Sequence, residues 1–339
     1  MSSSGSAPVS DFTTASRTLF ADPDVRFVNL NVAAPDAVKL GGVALVADAR
    51  EGLSALTAAL HGWSVDPSLR DETARLAGEW DATVTAAYGL GHGPLPAQSE
   101  VIGAVNDVSA PRDVVVCAAG SMPGDLHKLW RTRDPKGYHV EYGYSCMGYE
   151  IPGGIGVKLA APDREVFVLV GDGSYLMMPT ELVTAVAEGV KLVVVLVDNQ
   201  GYASIGALSE SVGSGGFGTR YRHRDPTTGH LDGDPLPVDL AANAESLGPD
   251  VLRATTVGEL RDALAAAVSS PRTTVVYVRT DPSVPAPDSG AWWDVPVAEV
   301  SELPATREAR AAYEEARKLR PPGSRDHVDF GASWDPKST

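Results

Sequence analysis

The chain has 339 residues, 43% of them hydrophobic, and its 28 basic and 44 acidic side chains give a formal net charge of −16. That length holds one large domain and a smaller piece, and the acidic balance argues against nucleic acid or an anionic membrane as partner. Two cysteines, Cys117 and Cys146, give no disulfide framework and fit a reducing compartment. No apolar run reaches membrane length and the polar start MSSSGSAPVS has no signal-peptide core, so the expected location is cytoplasmic.

In chain order, residues 1–10 read as a disordered Ser/Gly/Pro-rich lead-in. Residues 11–65 follow as a partial central α/β domain: a helix-like stretch, strands over 26–32 and 43–47, and a helix over 49–60. That fragment is too small to bury its own core comfortably. Residues 66–94 read as a helical linker with Pro67 near its start. The main domain is placed at 95–285. It begins with a helix over 99–108, a strand DVVVCA that ends in Ala119-Gly120-Ser121, a loop after that strand carrying Gly120, Ser121 and His127, and a Gly-rich helix over 148–159. Next come a buried strand over 166–170, the turn Gly171-Asp172-Gly173-Ser174, an amphipathic helix, a second buried strand over 192–197 and the turn Asp198-Asn199-Gln200-Gly201. Residues 210–237 show no periodicity and read as a long loop. Helices over 239–247 and 257–268 and a strand over 273–279 close the sheet. A C-terminal arm, 286–339, carries Trp292-Trp293 in a Pro-rich stretch, an exposed helix over 313–320 and a polar tail.

Continuous β-branched runs flanking a helix suit a parallel sheet buried on both faces. The expected fold class is therefore α/β, a parallel sheet flanked by helices. In such sheets ligands gather at the carboxyl ends of the strands, which places Asp172 and Asn199 side by side. A carboxylate and an amide oxygen are hard ligands. With a backbone carbonyl, waters and phosphate oxygens they complete a six-oxygen shell for Mg2+. Gly171 and Gly173 allow close approach to phosphates, and the N–H groups of Gly173 and Ser174 open a helix and favour an anion. The plain alternative is an ordinary βαβ unit with a turn Asp and a turn Asn. GGIG at 153–156 lies inside a helix-like stretch with no strand leading into it, which argues against a Rossmann dehydrogenase.

GDGS, followed by DN after the second hydrophobic run, resembles the thiamine-diphosphate (ThDP) binding motif. YHVEYGYSCMGYEIPGGIGVKLA, GDGSYLMM, SIGALS and WWDVPVAEVSE resemble one branch of that superfamily, the trihydroxycyclohexane-1,2-dione hydrolases of myo-inositol breakdown, related to acetolactate synthase-like enzymes. The resemblance runs over residues 11–301 and corresponds to the second half of that family's usual chain. It implies ThDP and Mg2+ as cofactors, with Asp172, Asn199 and the Gly201 backbone oxygen on the metal. It implies Met147 as the residue that bends the cofactor, and Gly120, Ser121, His127, Gly171, Gly173, Ser174 and Asn199 around the diphosphate. Met147 also reads as a core gap-filler, and His127 as a structural histidine. Glu141 and Tyr142 either line the pocket or cap a turn.

In the superfamily, the acid that activates the aminopyrimidine ring belongs to a separate pyrimidine-binding domain, so that Glu is expected to be absent from this chain. Glu150, Glu181 and Glu188 lie on the diphosphate side and read as helix-surface carboxylates. The resulting expectation is one subunit of a split enzyme, completed by a second protein chain in a heterodimer of dimers. Met1 and the short lead-in favour a natural subunit over a truncated piece. The implied activity is hydrolysis of a cyclic 1,2-diketone. The alternatives are a 2-oxo acid decarboxylase or acyloin-forming carboligase, and a non-catalytic scaffold. Pro179, and Gln200 where the family often has His, depart from the pattern. Gln cannot transfer a proton, which bears on the hydrolase reaction more than on cofactor binding.

Overall fold

The computed structural model describes residues 19–318 except 21, 23, 39–42, 142, 289, 291 and 292. The expected lead-in, Tyr142, Trp292 and the tail beyond 318 lie outside the described residues. The first elements are β1 (Val28–Asn31), α1 (Ala34–Ala37), β2 (Val43–Val46), α2 (Ala49–Ala59), α3 (Pro67–Tyr88) and α4 (Gln98–Val108). The middle of the chain forms β3 (Val114–Cys117), α5 (Ser121–Leu129), β4 (Tyr138–Val140), α6 (Glu150–Ala160), β5 (Val166–Gly171), α7 (Asp172–Met177), α8 (Glu181–Ala187) and β6 (Val193–Asp198). Then follow α9 (Ala203–Ser211), α10 (Leu240–Ser246), β7 (Asp250–Ala254), α11 (Val257–Ser269), β8 (Thr274–Arg279) and α12 (Pro304–Lys318). Two compact units result, one drawn from residues 66–289 and one from the described residues before and after them.

The larger unit is an α/β fold. Its six strands are all parallel in the order β4-β3-β5-β6-β8-β7, with Val168 opposite Val194 and Val195 opposite Val276 at its centre. Alternate side chains leave opposite faces of a strand, and here each face has its own helices. Val115, Cys117, Phe167, Leu169 and Val195 pack with Tyr88, Ile102, Leu126 and Leu260 from α3, α4, α5 and α11. Val116, Val168, Val170 and Val194 pack with Ile151, Tyr175, Leu182 and Leu240 from α6, α7, α8 and α10. Each such side chain contributes about 1.5–3 kcal/mol by leaving water, which is why these runs are apolar without alternation.

Several elements differ from the sequence reading. The stretch read as a helical linker is helical, as α3, but its last turn is buried, with the Tyr88 hydroxyl donating to the Leu129 carbonyl at 2.5 Å. The loop expected after β3 is instead α5; Pro123 is tolerated in its first turn because the N–H it lacks would have no intrahelical partner. The single helix between β5 and β6 is broken at Met178-Pro179 into α7 and α8, since a residue before proline avoids the helical region. Two short edge strands, β4 and β7, were not expected, and α12 starts at Pro304 rather than 313. After α9 the long loop folds back through isolated bridges, Gly201 with Arg220 and Arg222 with Pro235.

In the smaller unit β1 and β2 form a two-stranded parallel sheet. A Cβ at Gly52 of α2 would stand 2.6 Å from Leu30 Cδ1, so that helix lies close on β1. Among the described residues, no helix is long and apolar enough to cross a membrane.

Candidate functional site

From β3 the chain crosses to β4 on one side of the sheet, and from β5 to β6 on the other. The gap between β3 and β5 is therefore the topological switch point, where a crevice opens at the carboxyl ends of the strands. A cavity of about 320 Å³ occupies it. Its walls are Ala119–Met122 after β3, Gly171–Ser174 after β5, Asn199 and Gly201–Ile205 after β6, and Ser145 and Met147 from the loop leading into α6.

Asp172 stands at the tip of β5 and is 1% exposed. Its Oδ1 accepts the Gly173 N–H at 2.8 Å and its Oδ2 the Gly201 N–H at 2.9 Å, which joins the two turns. Burial, with the Asp198 carboxylate nearby, pushes its pKa up to about 7. Asp198 is itself held by the Gln200 N–H and the Tyr277 hydroxyl. Asn199 is 6% exposed, and its buried Oδ1 has no hydrogen-bond partner. Leaving such an acceptor unsatisfied costs roughly 1–3 kcal/mol.

These donors fit a hard divalent cation. It would satisfy the Asn199 amide oxygen and draw Asp172 back to its ionised form. No cluster of three or more His, Cys, Asp or Glu side chains occurs among the described residues, so other ligands would have to be backbone, water or cofactor oxygens. The glycines shape the space beside it. A Cβ at Gly120 or Gly171 would meet nothing within 4 Å, so both leave the cradle open. A Cβ at Gly201 would lie 2.2 Å from the Thr219 carbonyl oxygen, which excludes any other residue there. A Cβ at Gly173 would meet the Tyr202 ring at 2.9 Å and Met147 Cε at 3.4 Å, so Met147 and Tyr202 close over this glycine.

The cavity brings together Gly120, Ser121, Met147, Gly171, Asp172, Gly173, Ser174, Asn199 and Gly201. His127 is not among its lining residues; it lies six residues along α5 from Ser121, about 9 Å of helix, with its ring edge-on to Tyr138. The Gly173 N–H, expected to face an anion, is taken by the Asp172 side chain. Glu141 caps its own turn, accepting from the Tyr144 and Cys146 N–H groups. Glu188 is exposed as expected, but Glu150 is not a helix-surface carboxylate. It is 1% exposed and accepts from Ser174 Oγ at 2.7 Å, Gly148 N–H at 3.1 Å and Ala119 N–H at 3.4 Å. Nothing local in the sequence marks it, because Ser174 and Ala119 reach it only through the tertiary fold. Tyr202 and Ser145 were likewise missed.

The chain is similar to known proteins over most of its length. Residues 118–278 match the family described as thiamine pyrophosphate enzyme, C-terminal TPP binding domain. The 3D-(3,5/4)-trihydroxycyclohexane-1,2-dione hydrolase 2 of a Bacillus cereus strain is 38% identical over 328 residues, covering 90% of this chain and 50% of that protein. The 3D-(3,5/4)-trihydroxycyclohexane-1,2-dione hydrolase of Bacillus anthracis (strain CDC 684 / NRRL 3495) is 37% identical with the same coverage. The chain thus spans about half the length of the curated relatives it matches. This corrects the expectation of a second, different protein chain: in these relatives the matched half and the remaining half are one polypeptide, and no separate partner is shown. Among solved structures, a ThDP-dependent 4-hydroxybenzoylformate decarboxylase of Rhodococcus jostii RHA1 gives a TM-score of 0.48 at 20% identity, over 56% of this chain and 34% of that one. Benzoylformate decarboxylase from Polynucleobacter necessarius gives 0.47 at 21% identity, over 57% and 34%. Residues 118–278, with their GDGS and DN turns, thus match the C-terminal TPP binding domain of thiamine pyrophosphate enzymes.

Proposed function

We propose that the cavity holds the diphosphate end of ThDP through Mg2+, and that the reaction is the hydrolytic opening of a cyclic 1,2-diketone. The observation that carries the cofactor reading is the buried, unpartnered Asn199 Oδ1 beside the buried Asp172 carboxylate. Asp172, Asn199 and the Gly201 carbonyl would be this chain's metal ligands. Gly120, Ser121, Gly171, Gly173 and Ser174 would leave room for, or contact, the diphosphate. Met147 would present an apolar wall against which the cofactor bends. ThDP, when bound, supplies a carbon nucleophile for cleaving a bond next to a carbonyl, while the protein supplies orientation and electrostatics. The hydrolase reading is supported by the printed names of relatives at 37–38% identity. Gln200 turns its N–H to Asp198, and its side chain has no acid–base function to offer the reaction.

Metal binding is tested with Mn2+ as a spectroscopic substitute. Electron paramagnetic resonance should show tight Mn2+ uptake by the full chain in the presence of ThDP, lost in Asp172→Ala. Equal uptake by both proteins would overturn the ligand assignment. The reaction is tested by supplying a cyclic 1,2-diketone and, separately, pyruvate. Ring-opened acid from the diketone supports the proposal. CO2 or a hydroxyketone from pyruvate, with the diketone untouched, would replace it with a decarboxylase or carboligase.

A further inference from the structure

Glu141 and Glu150 stand at the two ends of one loop, and both carboxylates accept hydrogen bonds from within it. Glu141 takes the Tyr144 N–H at 3.1 Å and the Cys146 N–H at 2.6 Å. Glu150 takes the Gly148 N–H at 3.1 Å. The loop's described residues form no strand or helix ladder, and Ser145 and Gly148 among them have positive φ, 53° and 91°. The two bonds to Glu141 are exposed, but Gly148 is buried, and a buried backbone donor must find an acceptor; here the Glu150 carboxylate supplies one. The loop matters because Ser145 and Met147 both line the cavity.

Glu150 reaches further than its own loop. Its three donors come from three walls of the cavity: Ala119 after β3, Gly148 beside Met147, and Ser174 after β5. Ser174 Oγ in turn accepts the Gly148 N–H at 2.8 Å, so loop, α7 and carboxylate form a closed set. All three donors are neutral groups. A carboxylate suits this meeting point because it only accepts, with about four lone-pair sites. Glutamine has the same shape but turns one oxygen into an N–H donor, which would face another donor.

We infer that Glu150 is a positioning residue for the cofactor cavity: by joining Ala119, Gly148 and Ser174 it fixes Met147 against Gly173. The inference rests on the reading of the cavity as a ThDP site. It adds a residue that lies outside the cavity lining and works through Met147.

A double-mutant cycle on the full chain separates this role from plain fold stabilisation, because residues acting through one another give non-additive effects. ThDP affinity at saturating Mg2+ is measured by calorimetry for the wild type, Glu150→Gln, Met147→Ala and the double variant. Mn2+ affinity is measured without ThDP, and amide exchange is followed over 143–149. Glu150→Gln should weaken ThDP roughly tenfold, as expected for losing hydrogen bonds to a charged acceptor, and should leave Mn2+ affinity unchanged. Exchange should quicken in the loop and not in the sheet. In the Met147→Ala background the effect of Glu150→Gln on ThDP should largely vanish. Glu150→Asp keeps the charge and shortens the reach, and serves if Glu150→Gln does not fold; it should also be non-additive with Met147→Ala. Additive effects, or a loss of ThDP affinity that follows a fall in Tm across the whole unit, would overturn the positioning role. If the wild type takes up neither Mn2+ nor ThDP, the cofactor reading itself falls, and the inference with it.

Discussion

β2 and β3 are both four-residue apolar strands, VALV and VVVC, yet every residue of β2 is exposed and every residue of β3 is buried. β3 lies between β4 and β5 in a six-stranded sheet with helices on both faces, whereas among the described residues β2 pairs with β1 alone. Composition records what a strand is suited to bury; the number of neighbours decides what it does bury. The turns at the strand ends differ in the same way. β1 ends on Asn31, whose Oδ1 accepts the Ala33 N–H at 2.9 Å, so the side chain closes its own turn. β6 is followed by Asn199, whose Oδ1 is buried and accepts from nothing. The same residue type is a finished turn in one sheet and an open ligand in the other.

The largest difference should be in stability. Phe167 is fully buried in β5, and Phe167→Ala should cost about 3–5 kcal/mol through lost transfer energy and the cavity left behind. Val43 in β2 is 65% exposed, and Val43→Ala should stay within about 0.5 kcal/mol. Urea unfolding of the two variants measures both, and similar costs would erase the distinction between the two sheets. The next effect should be in binding. Asp172→Ala should weaken Mg2+-dependent ThDP binding by roughly 100-fold, at the upper end of what is lost with a metal-site residue, with only a modest fall in Tm, because relief of a buried carboxylate offsets the acceptor lost by the Gly173 and Gly201 N–H groups. Asn31→Ala should leave the same calorimetric titration unchanged. A matching loss in Asn31→Ala would show that the two turns are not as different as their hydrogen bonds indicate.

What the sequence revealed follows the same division. β3, β5, β6 and β8 were legible because a doubly covered strand leaves a continuous apolar run. The GDGS and DN turns were legible because few other residue sets put hard oxygens and close backbone together. The edge strands β4 and β7 were not, since YHV and DVLRA are short and mixed where one edge meets solvent. The helix α5 was hidden by Pro123 and Gly124, which read as a loop until the first-turn position of the proline is known. Glu150 was misread for a different reason: a glutamate opening a helix normally faces water, and only the return of the chain at Ser174 gives it donors.

Helix packing shows the comparison at its smallest scale. Gly154 in α6 faces β5 so closely that a Cβ there would stand 2.4 Å from Val168 Cγ2, whereas a Cβ at Gly78 in α3 would meet nothing within 4 Å. Gly154→Ala should therefore destabilise by about 1–3 kcal/mol, because the extra methyl forces helix and strand apart. Gly78→Ala makes the same chemical change on an exposed helix face. It removes the entropic cost of glycine and should stabilise by about 0.5–1 kcal/mol. In a unit of this size that is a rise in Tm of roughly 1–4 °C, readable by calorimetry. Shifts of the same sign in both variants would mean that α6 can move off β5. The tight contact at Val168 would then play no part in holding the strand whose end carries Asp172.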